Sequence, residues 1–280
     1  MIKRCVLMMI LLKTLLGWCG QEKTPGNFVV YYGSEAEAAA FARFDLVVLD
    51  SGYSEIVEAL KKGKKTVLAY LSLGEVNNTR DYFAEIKGKG LLLEKNPNWP
   101  DAFMVDIRKA EWRDYVLGVL IPLIIADGFD GIFIDTLDSS INQERVNARK
   151  FGGMTKAASD LVKQIRARYP RLKIMLNRAY EIGPEVACSI DYLLGESICG
   201  SYDFAEKKYI MNNEKAYEDE VKILKNIRKA NPRLLIMTLD YCEPKDRARR
   251  EAIRKKQKKN GFIPYVTTIG LDTISVMDDN

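Results

Sequence analysis

The stretch that decides the fold is Asp127-Gly128-Phe129-Asp130-Gly131-Ile132-Phe133-Ile134-Asp135-Thr136-Leu137-Asp138. Its first two residues are typical of the end of a helix, and the small or apolar residues 131–134 read as a buried strand. Asp135 follows this strand directly. The stretch therefore predicts a helix followed by a core strand, with a carboxylate where the strand ends.

Similar units occur on both sides of this stretch, because apolar runs alternate with amphipathic segments along the chain. Most of the runs are nearly continuous in Val, Ile, Leu and Met, as expected for parallel strands covered on both faces. Two of the amphipathic segments stop at Pro170 and Pro232. The strand candidates are Phe28–Tyr32, Leu46–Leu49, Thr66–Leu71, Gly131–Ile134, Leu172–Leu176, Ile190–Leu194, Leu234–Leu239 and Phe262–Val266.

Eight strands in a chain of this length predict an α/β protein with one domain, a (β/α)8 TIM barrel over residues 27–273. No GxGxxG motif follows the first strand to suggest a dinucleotide fold. A further apolar run, Phe103–Val105, lies between the third and fourth strands, and residues 81–100 match no element pattern. We expect a short inserted segment there.

Composition excludes several kinds of chemistry. The chain has 280 residues, a net charge of +5 and no histidine. Histidine-based triads, histidine-ligated zinc and imidazole acid/base catalysis are therefore ruled out. Five cysteines are present, and Cys188, Cys199 and Cys242 lie in the predicted barrel, which leaves one disulfide or buried free thiols as the alternatives. We expect no metal and no cofactor.

The first 20 residues have the features of a secretory signal. Lys3 and Arg4 precede an apolar run that is interrupted by Lys13. The run is short for a spanning helix, so we expect export without a stable membrane span. Cys19 is a candidate lipid acceptor, but the bulky Trp18 before it argues against lipid attachment.

Polar side chains stand at the ends of most predicted strands. In TIM barrels the carboxyl ends of the strands carry the chemistry, although at any one position a polar residue also simply marks where a strand stops. Carboxylates and amides bond to sugar hydroxyls, and aromatic rings stack on sugars, so this rim predicts a polyhydroxylated ligand. Asp106 has the alternative of an ion pair with Arg108. The ligand-contact candidates are Tyr31, Asp50, Tyr70, Glu75, Asp106, Asn177, Tyr202 and Asp240.

Several of these segments together resemble glycoside hydrolase family 114, the endo-α-1,4-polygalactosaminidase-like TIM barrels. The resemblance implies hydrolysis of glycosidic bonds, with an Asp on the fourth strand and a Glu on the sixth as the catalytic pair. These positions match Asp135 and Glu196, as nucleophile and general acid/base by analogy; the alternative is that either is a structural carboxylate. Besides the opening stretch, the matching segments are Leu68–Glu75, Val105–Arg108 with Trp112, Leu176–Arg178, Leu194–Ser197 and Leu239–Tyr241.

The sequence therefore predicts a monomeric, exported glycoside hydrolase. Its partner would be an extracellular or cell-surface polysaccharide, with amino sugars implied by the resemblance, and not a nucleic acid. One alternative is a carbohydrate-binding barrel without catalysis. Another is a polymer- or surface-binding protein that uses the basic segment Lys245–Lys259, although a solvated outer helix explains that segment as well.

Overall fold

The computed structural model describes residues 24–275, and its centre is a sheet of eight parallel strands paired in chain order. All eight predicted strands are present, with ends that differ by one or two residues, so the predicted TIM barrel is confirmed. The barrel strands are β1 (Phe28–Tyr31), β2 (Leu46–Asp50), β3 (Thr66–Ser72), β4 (Gly131–Asp135), β5 (Lys173–Asn177), β6 (Tyr192–Glu196), β7 (Leu235–Tyr241) and β8 (Ile263–Thr267).

The last strand returns to the first and nearly closes the barrel. The rings of Phe28 in β1 and Tyr265 in β8 pack with their centroids 5.8 Å apart. Just beyond the strands, the Tyr32 amide donates a hydrogen bond to the Leu271 carbonyl at 2.7 Å. The eight carboxyl ends therefore surround one opening.

Helices between the strands cover the outside of the barrel. The longest, Glu214–Ala230, begins where the Asn213 side chain accepts a hydrogen bond from the Ala216 amide, and it buries the stripe that the sequence pattern predicts. The helical segments are Ala38–Phe41 (3₁₀), Val57–Lys62, Phe83–Gly88, Ala110–Tyr115, Val116–Leu120 (π-helical), Ile121–Ala126, Leu137–Val146, Ala148–Phe151, Met154–Arg168, Gly183–Val186, Glu214–Ala230 and Arg247–Lys259.

Alternation along the strands decides which side chains reach the opening. In β4, Phe133 and Asp135 line the cleft at the carboxyl end of the barrel, and Ile132 and Ile134 are fully buried. Successive side chains of a strand point to opposite faces, so every second residue points inward. A shift of one position therefore separates a cleft residue from one that faces the helices.

Two structured insertions flank the opening and go beyond what the sequence predicts. The segment between β3 and β4, expected to be short, forms a three-stranded antiparallel sheet of Glu75–Asn77, Leu92–Lys95 and Ala102–Val105. After β6 a hairpin, Gly200–Asp203 with Lys208–Met211, rises from the rim. These strands are too short, and too mixed in composition, to give a period-two pattern.

The basic segment forms an outer helix, Arg247–Lys259. It begins at Asp246, whose side chain accepts a hydrogen bond from the Arg249 amide. Gln257 on its inner face is fully buried, and Lys256 pairs with Glu214 of the neighbouring helix at 2.6 Å. The helix thus packs against the barrel through its inner face, and at least one of its basic side chains is paired with a neighbouring helix.

The predictions on export and on membrane association concern different parts of the chain. The predicted signal, residues 1–20, lies outside the described residues. Within residues 24–275, no helix combines the length and the apolar character needed to cross a membrane.

Trp112 ties the first insertion to the barrel, and its loss is expected to destabilise the fold. The side chain is fully buried, and its indole N–H donates to the Leu73 carbonyl at 2.9 Å. Trp112→Ala should lower the free energy of unfolding by about 3–5 kcal/mol, since it leaves a large cavity and an unpaired carbonyl. Denaturant unfolding measures this change. Trp99→Ala is the matched control, because Trp99 is 51% exposed; equal losses in the two variants would contradict the expectation.

Candidate active site

Three side chains from adjacent strands meet at the centre of the opening. The amide nitrogen of Asn177, at the end of β5, donates to Asp135 Oδ1 at 2.9 Å and to Glu196 Oε2 at 2.6 Å. These two carboxylate oxygens therefore lie at most the sum of those distances, about 5.5 Å, apart. One amide group thus holds the carboxylates of β4 and β6 close together.

Two tyrosines hold the outer oxygens of the same carboxylates. The Tyr70 hydroxyl donates to Asp135 Oδ2 at 3.0 Å, and the Tyr241 hydroxyl donates to Glu196 Oε1 at 2.6 Å. Burial, reinforced by the neighbouring carboxylate, raises the pKa of both tyrosines well above the ordinary value. Both hydroxyls therefore stay protonated and remain donors, which fixes each carboxylate at two points.

The two carboxyl groups interact electrostatically. Burial raises the pKa of Glu196, and the negative charge of Asp135 raises it further. The hydrogen bonds from Tyr241 and Asn177 and the charge of Arg178 oppose this shift without cancelling it. Like charges in one desolvated site cannot both be stabilised, so Glu196 is the group that tends to hold a proton.

A third carboxyl group, Asp138, lies in the first turn of the helix Leu137–Val146, three residues after Asp135. Burial raises its pKa to about 6, together with the charge of Asp135, although Arg178 acts in the opposite direction. The Arg178 guanidinium lies 3.5 Å from Asp138. The cleft therefore holds two protonatable acids near Asp135.

The backbone leaves the three central strands in the same unusual way. The residues directly after Asp135, Asn177 and Glu196 all have positive φ, although none is glycine: the angle is 67° at Thr136, 52° at Arg178 and 58° at Ser197. Non-glycine residues rarely adopt this left-handed conformation, and where they do it often marks a functional site. The backbone thus turns sharply away from the barrel directly after each of the three site residues.

The turn at Thr136 is held by the loop after β3. The Thr136 hydroxyl accepts a hydrogen bond from the Gly74 amide at 2.9 Å and lies 2.7 Å from Ser72 Oγ. A Cβ atom at position 74 would lie 2.0 Å from the Thr136 carbonyl oxygen, so only glycine fits there. This contact explains the glycine in the predicted segment Leu68–Glu75.

The wall on the side of β2 and β3 carries two further carboxylates with partners. Asp50 forms a two-point ion pair with Arg80 at 2.6 and 2.9 Å, which lowers the pKa of Asp50 against the effect of burial. Both oxygens of Glu75 accept from the Asn96 amide at 2.9 and 3.0 Å. All four side chains line a cleft of about 830 Å³ that also contains Asp135 and Glu196.

The cleft brings together most of the residues expected from the sequence. Asp135 and Glu196 lie at its floor, and five of the eight contact candidates line it. These five are Asp50, Tyr70, Glu75, Asn177 and Tyr202.

Three contact candidates lie elsewhere. The Tyr31 ring packs on Phe41, and its hydroxyl accepts from backbone amides. Asp106 is paired with Arg108 at 2.7 Å, the alternative that the sequence left open. Asp240 is fully buried outside the cleft, where it accepts from the amides of Cys199 and Gly200 and from the Gln257 side chain.

The cleft also contains residues that the sequence reasoning missed. Tyr32 and Tyr241 line it, whereas their predicted neighbours Tyr31 and Asp240 do not. Strand alternation explains both cases, because inward and outward positions differ by one residue. Counting every second residue back from Asp135 identifies the inward-facing side chains of β4, but it says nothing about the other strands. In β7 the composition is misleading, because the polar residues Thr238 and Asp240 share the face away from the cleft, whereas Leu239 and Tyr241 line it.

The site contains carboxyl, amide and phenol groups, a set suited to proton transfer and sugar binding. In the part of the chain that the structure describes, no group of three or more Asp, Glu or Cys side chains is arranged to hold a metal ion. Cys188, Cys199 and Cys242 are free thiols.

Comparisons with known proteins find solved structures of the same fold and a relative by sequence. The chain is similar to the glycoside hydrolase domain of PelA from Pseudomonas aeruginosa, with a TM-score of 0.78, 26% identity, and coverage of 90% of this chain and 98% of that one. It shares its fold with Aspergillus fumigatus Ega3 in complex with galactosamine, with a TM-score of 0.67, 15% identity, and coverage of 88% and 91%. An uncharacterized protein of Thermotoga maritima is 25% identical over 233 residues, 75% of this chain and 68% of that protein.

A family model gives the assignment. The model of glycoside-hydrolase family GH114 matches residues 20–280, nearly the whole chain. This match confirms the resemblance seen in the sequence. The chain therefore belongs to glycoside hydrolase family GH114, and it is a glycoside hydrolase.

Proposed function

We propose that the protein cleaves internal glycosidic bonds of an amino-sugar-containing polysaccharide, using Asp135 and Glu196 with retention of configuration. The observation that carries this proposal is the Asn177 bridge, which keeps one oxygen of each carboxylate within about 5.5 Å of the other. Retaining glycosidases have carboxyl groups roughly 5–5.5 Å apart, and inverting ones roughly 6.5–9.5 Å. The spacing supports direct attack by Asp135 on the anomeric carbon over attack by a water that Asp135 activates.

The two steps follow from the protonation states. Protonated Glu196 gives its proton to the glycosidic oxygen, and an oxygen of Asp135 bonds to the anomeric carbon as the leaving sugar departs. Glu196, now ionised, then takes a proton from water, and the water oxygen displaces Asp135 from the anomeric carbon. This second step restores protonated Glu196 and ionised Asp135. Tyr70 and Asn177 stabilise the negative charge on Asp135 before attack and after release.

The substrate class is inferred from the lining and from the related structures. The cleft lining is acidic in balance, with five carboxyl groups against two arginines: Asp50, Glu75, Asp135, Asp138 and Glu196, with Arg80 and Arg178. A partly deacetylated amino-sugar polymer is cationic, and carboxylates in a partly desolvated cleft attract it although the protein's net charge is +5. The galactosamine bound to Ega3, which shares the fold, supports the same class.

The place of action is part of the proposal. The charged start and apolar run of residues 1–20 support export. The polymer would then lie outside the cell or at its surface.

Asp106, Tyr31 and Asp240, which lie outside the cleft, are proposed to support the structure and not to touch the sugar.

The direct test is incubation with a panel of amino-sugar polymers and neutral polysaccharides. We expect new reducing ends from the amino-sugar polymers, and NMR of the first product should show the anomeric configuration of the substrate. Inactivity on every polymer together with tight polymer binding would favour the alternative of a carbohydrate-binding barrel. A product of opposite configuration would contradict the assignment of Asp135 as nucleophile.

The pH dependence of hydrolysis should report on Glu196. Because burial and Asp135 raise its pKa, the acid form needed for the first step persists at higher pH than for an ordinary carboxyl group. The value of kcat/KM should fall as pH rises through this raised pKa, since only the protonated form donates. Asp138, with a pKa of about 6, is the competing source of such a fall. The alkaline limb should remain in Asp138→Asn, and its disappearance there would reassign it to Asp138.

A further inference from the structure

The mouth of the cleft carries two exposed aromatic side chains in contact. Trp99 is 51% exposed and Phe204 is 43% exposed, and their rings meet edge to face with centroids 5.3 Å apart. They are the only aromatic members of the exposed large apolar residues within 24–275. Both line the same cleft as Asp135 and Glu196. Exposure of such area to water is unfavourable and is typical of a binding surface.

The two rings come from different insertions, and each is held from behind. Asn96 links the Trp99 turn to the cleft wall, since its Oδ1 accepts from the Trp99 amide at 3.2 Å and its amide nitrogen bonds to Glu75. Phe204 follows the hairpin strand that contains Tyr202, whose ring lies 5.3 Å away. Tyr202 in turn packs on Tyr209 of the opposite hairpin strand at 5.1 Å. The pair is therefore preorganised.

The position of this pair fits a sugar ring outside the catalytic centre. Trp99 and Phe204 are half exposed at the rim, whereas Asn177, between the two catalytic carboxylates, is nearly fully buried. A cleft of about 830 Å³ is near the upper end of the range for drug-sized ligands, roughly 300–1,000 Å³, and one monosaccharide is much smaller than such a ligand. Aromatic faces stack on the apolar faces of pyranose rings and tolerate differences in their substituents.

We propose that Trp99 and Phe204, here called the rim platform, bind a pyranose ring of the polysaccharide beyond the unit at the scissile bond and so favour long chains. This inference rests on the proposed hydrolysis of a polysaccharide. The occupant is a sugar of the same chain that lies over Asp135, because the platform and the catalytic pair share one continuous cleft. The platform holds the polymer and takes no part in proton transfer.

The test compares a long polymer with a short oligosaccharide of the same sugar. Trp99→Ala and Phe204→Ala should each lower kcat/KM on the polymer about tenfold, the effect of roughly 1.4 kcal/mol of lost binding, and leave the oligosaccharide within about twofold. Trp99→Phe should recover part of the loss. Leu123→Ala, which removes an exposed apolar side chain outside the cleft, should change neither value. If the two alanine variants lose kcat/KM equally on both substrates, or lose none on either, the proposed role of the rim platform is wrong.

A binding measurement separates this proposal from the hydrolysis itself. Trp112 is fully buried, and Trp18 is replaced by Phe in both proteins, so polymer-dependent changes in tryptophan emission should come from Trp99 and vanish in Trp99→Phe. If the wild-type protein hydrolyses no polymer but shows this change, the proposed function fails and the platform stands. Absence of the change overturns the platform even in an active enzyme. A change that depends on protein concentration without sugar would assign the surface to self-association and overturn it too.

Discussion

Asp135→Asn should abolish hydrolysis, with kcat lowered by roughly 10⁴-fold or more, the scale observed when a covalent nucleophile is removed. The amide keeps the shape of the carboxylate but neither carries the charge nor forms a stable bond to the anomeric carbon. Reducing-end release from the active polymer measures the loss. Because the substitution also removes a negative charge that disfavours ionised Glu196, we expect the unfolding midpoint to stay equal or rise.

Controls for Asp135→Asn separate chemistry from folding. Asp219→Asn, on the outer helix Glu214–Ala230, removes a carboxylate that does not line the cleft and should leave kcat unchanged. Azide supplied to Asp135→Gly should restore some turnover of an aryl glycoside and give a glycosyl azide of inverted configuration, since azide occupies the space of the nucleophile. Retained activity of Asp135→Asn above about one tenth of wild type would rule out the assigned role.

Glu196→Gln should lower kcat on the polymer by about 10²–10⁴-fold, the usual contribution of a general acid. The glutamine cannot protonate the glycosidic oxygen, so the loss should depend on the leaving group. An aryl glycoside with an acidic phenol needs no proton, and its first step should be nearly as fast as in the wild-type protein. A burst of phenol followed by slow turnover, seen in stopped-flow absorbance, is the expected signature.

The second step gives Glu196 a distinguishing test. Azide attacks a glycosyl-enzyme without help from a base, so it should accelerate Glu196→Gln on the aryl glycoside and give a product of retained configuration. Glu220→Gln is the matched control, because Glu220 is a partly buried carboxyl group, bonded to Tyr180, that does not line the cleft. Equal leaving-group dependence in both variants, or an inverted azide product from Glu196→Gln, would contradict the proposed role.

The barrel was predictable because its strands are long apolar runs. Gly131–Asp135 and its counterparts are buried on both faces, and no other arrangement of eight such strands with intervening helices is as common. The same property limits the prediction of the site. In β1 both faces are apolar, so the pattern does not say whether Tyr31 or Tyr32 points inward. In β7 the polar side chains Thr238 and Asp240 lie on the face away from the cleft, so polarity alone indicates the wrong face.

The insertions were not predictable for a different reason. The antiparallel pairing of Glu75–Asn77 with Ala102–Val105 joins segments far apart in the chain, and neither has a strand pattern of its own. The Asn177 bridge likewise depends on the distance between β4 and β6, which single-sequence patterns do not contain. Trp99 gave no signal, because it lies in a stretch without periodicity and acquires a neighbour only when the hairpin after β6 folds beside it.

The left-handed residues after β4, β5 and β6 set a boundary for engineering. Thr136, Arg178 and Ser197 fix the direction in which each chain leaves the barrel, directly beyond Asp135, Asn177 and Glu196. Loops exchanged between homologues should therefore be joined after these three positions and not before them. A graft that begins one residue later should keep the geometry of Asp135, Asn177 and Glu196 and vary only the loops beyond them, so substrate preferences can be screened without rebuilding the proposed catalytic pair.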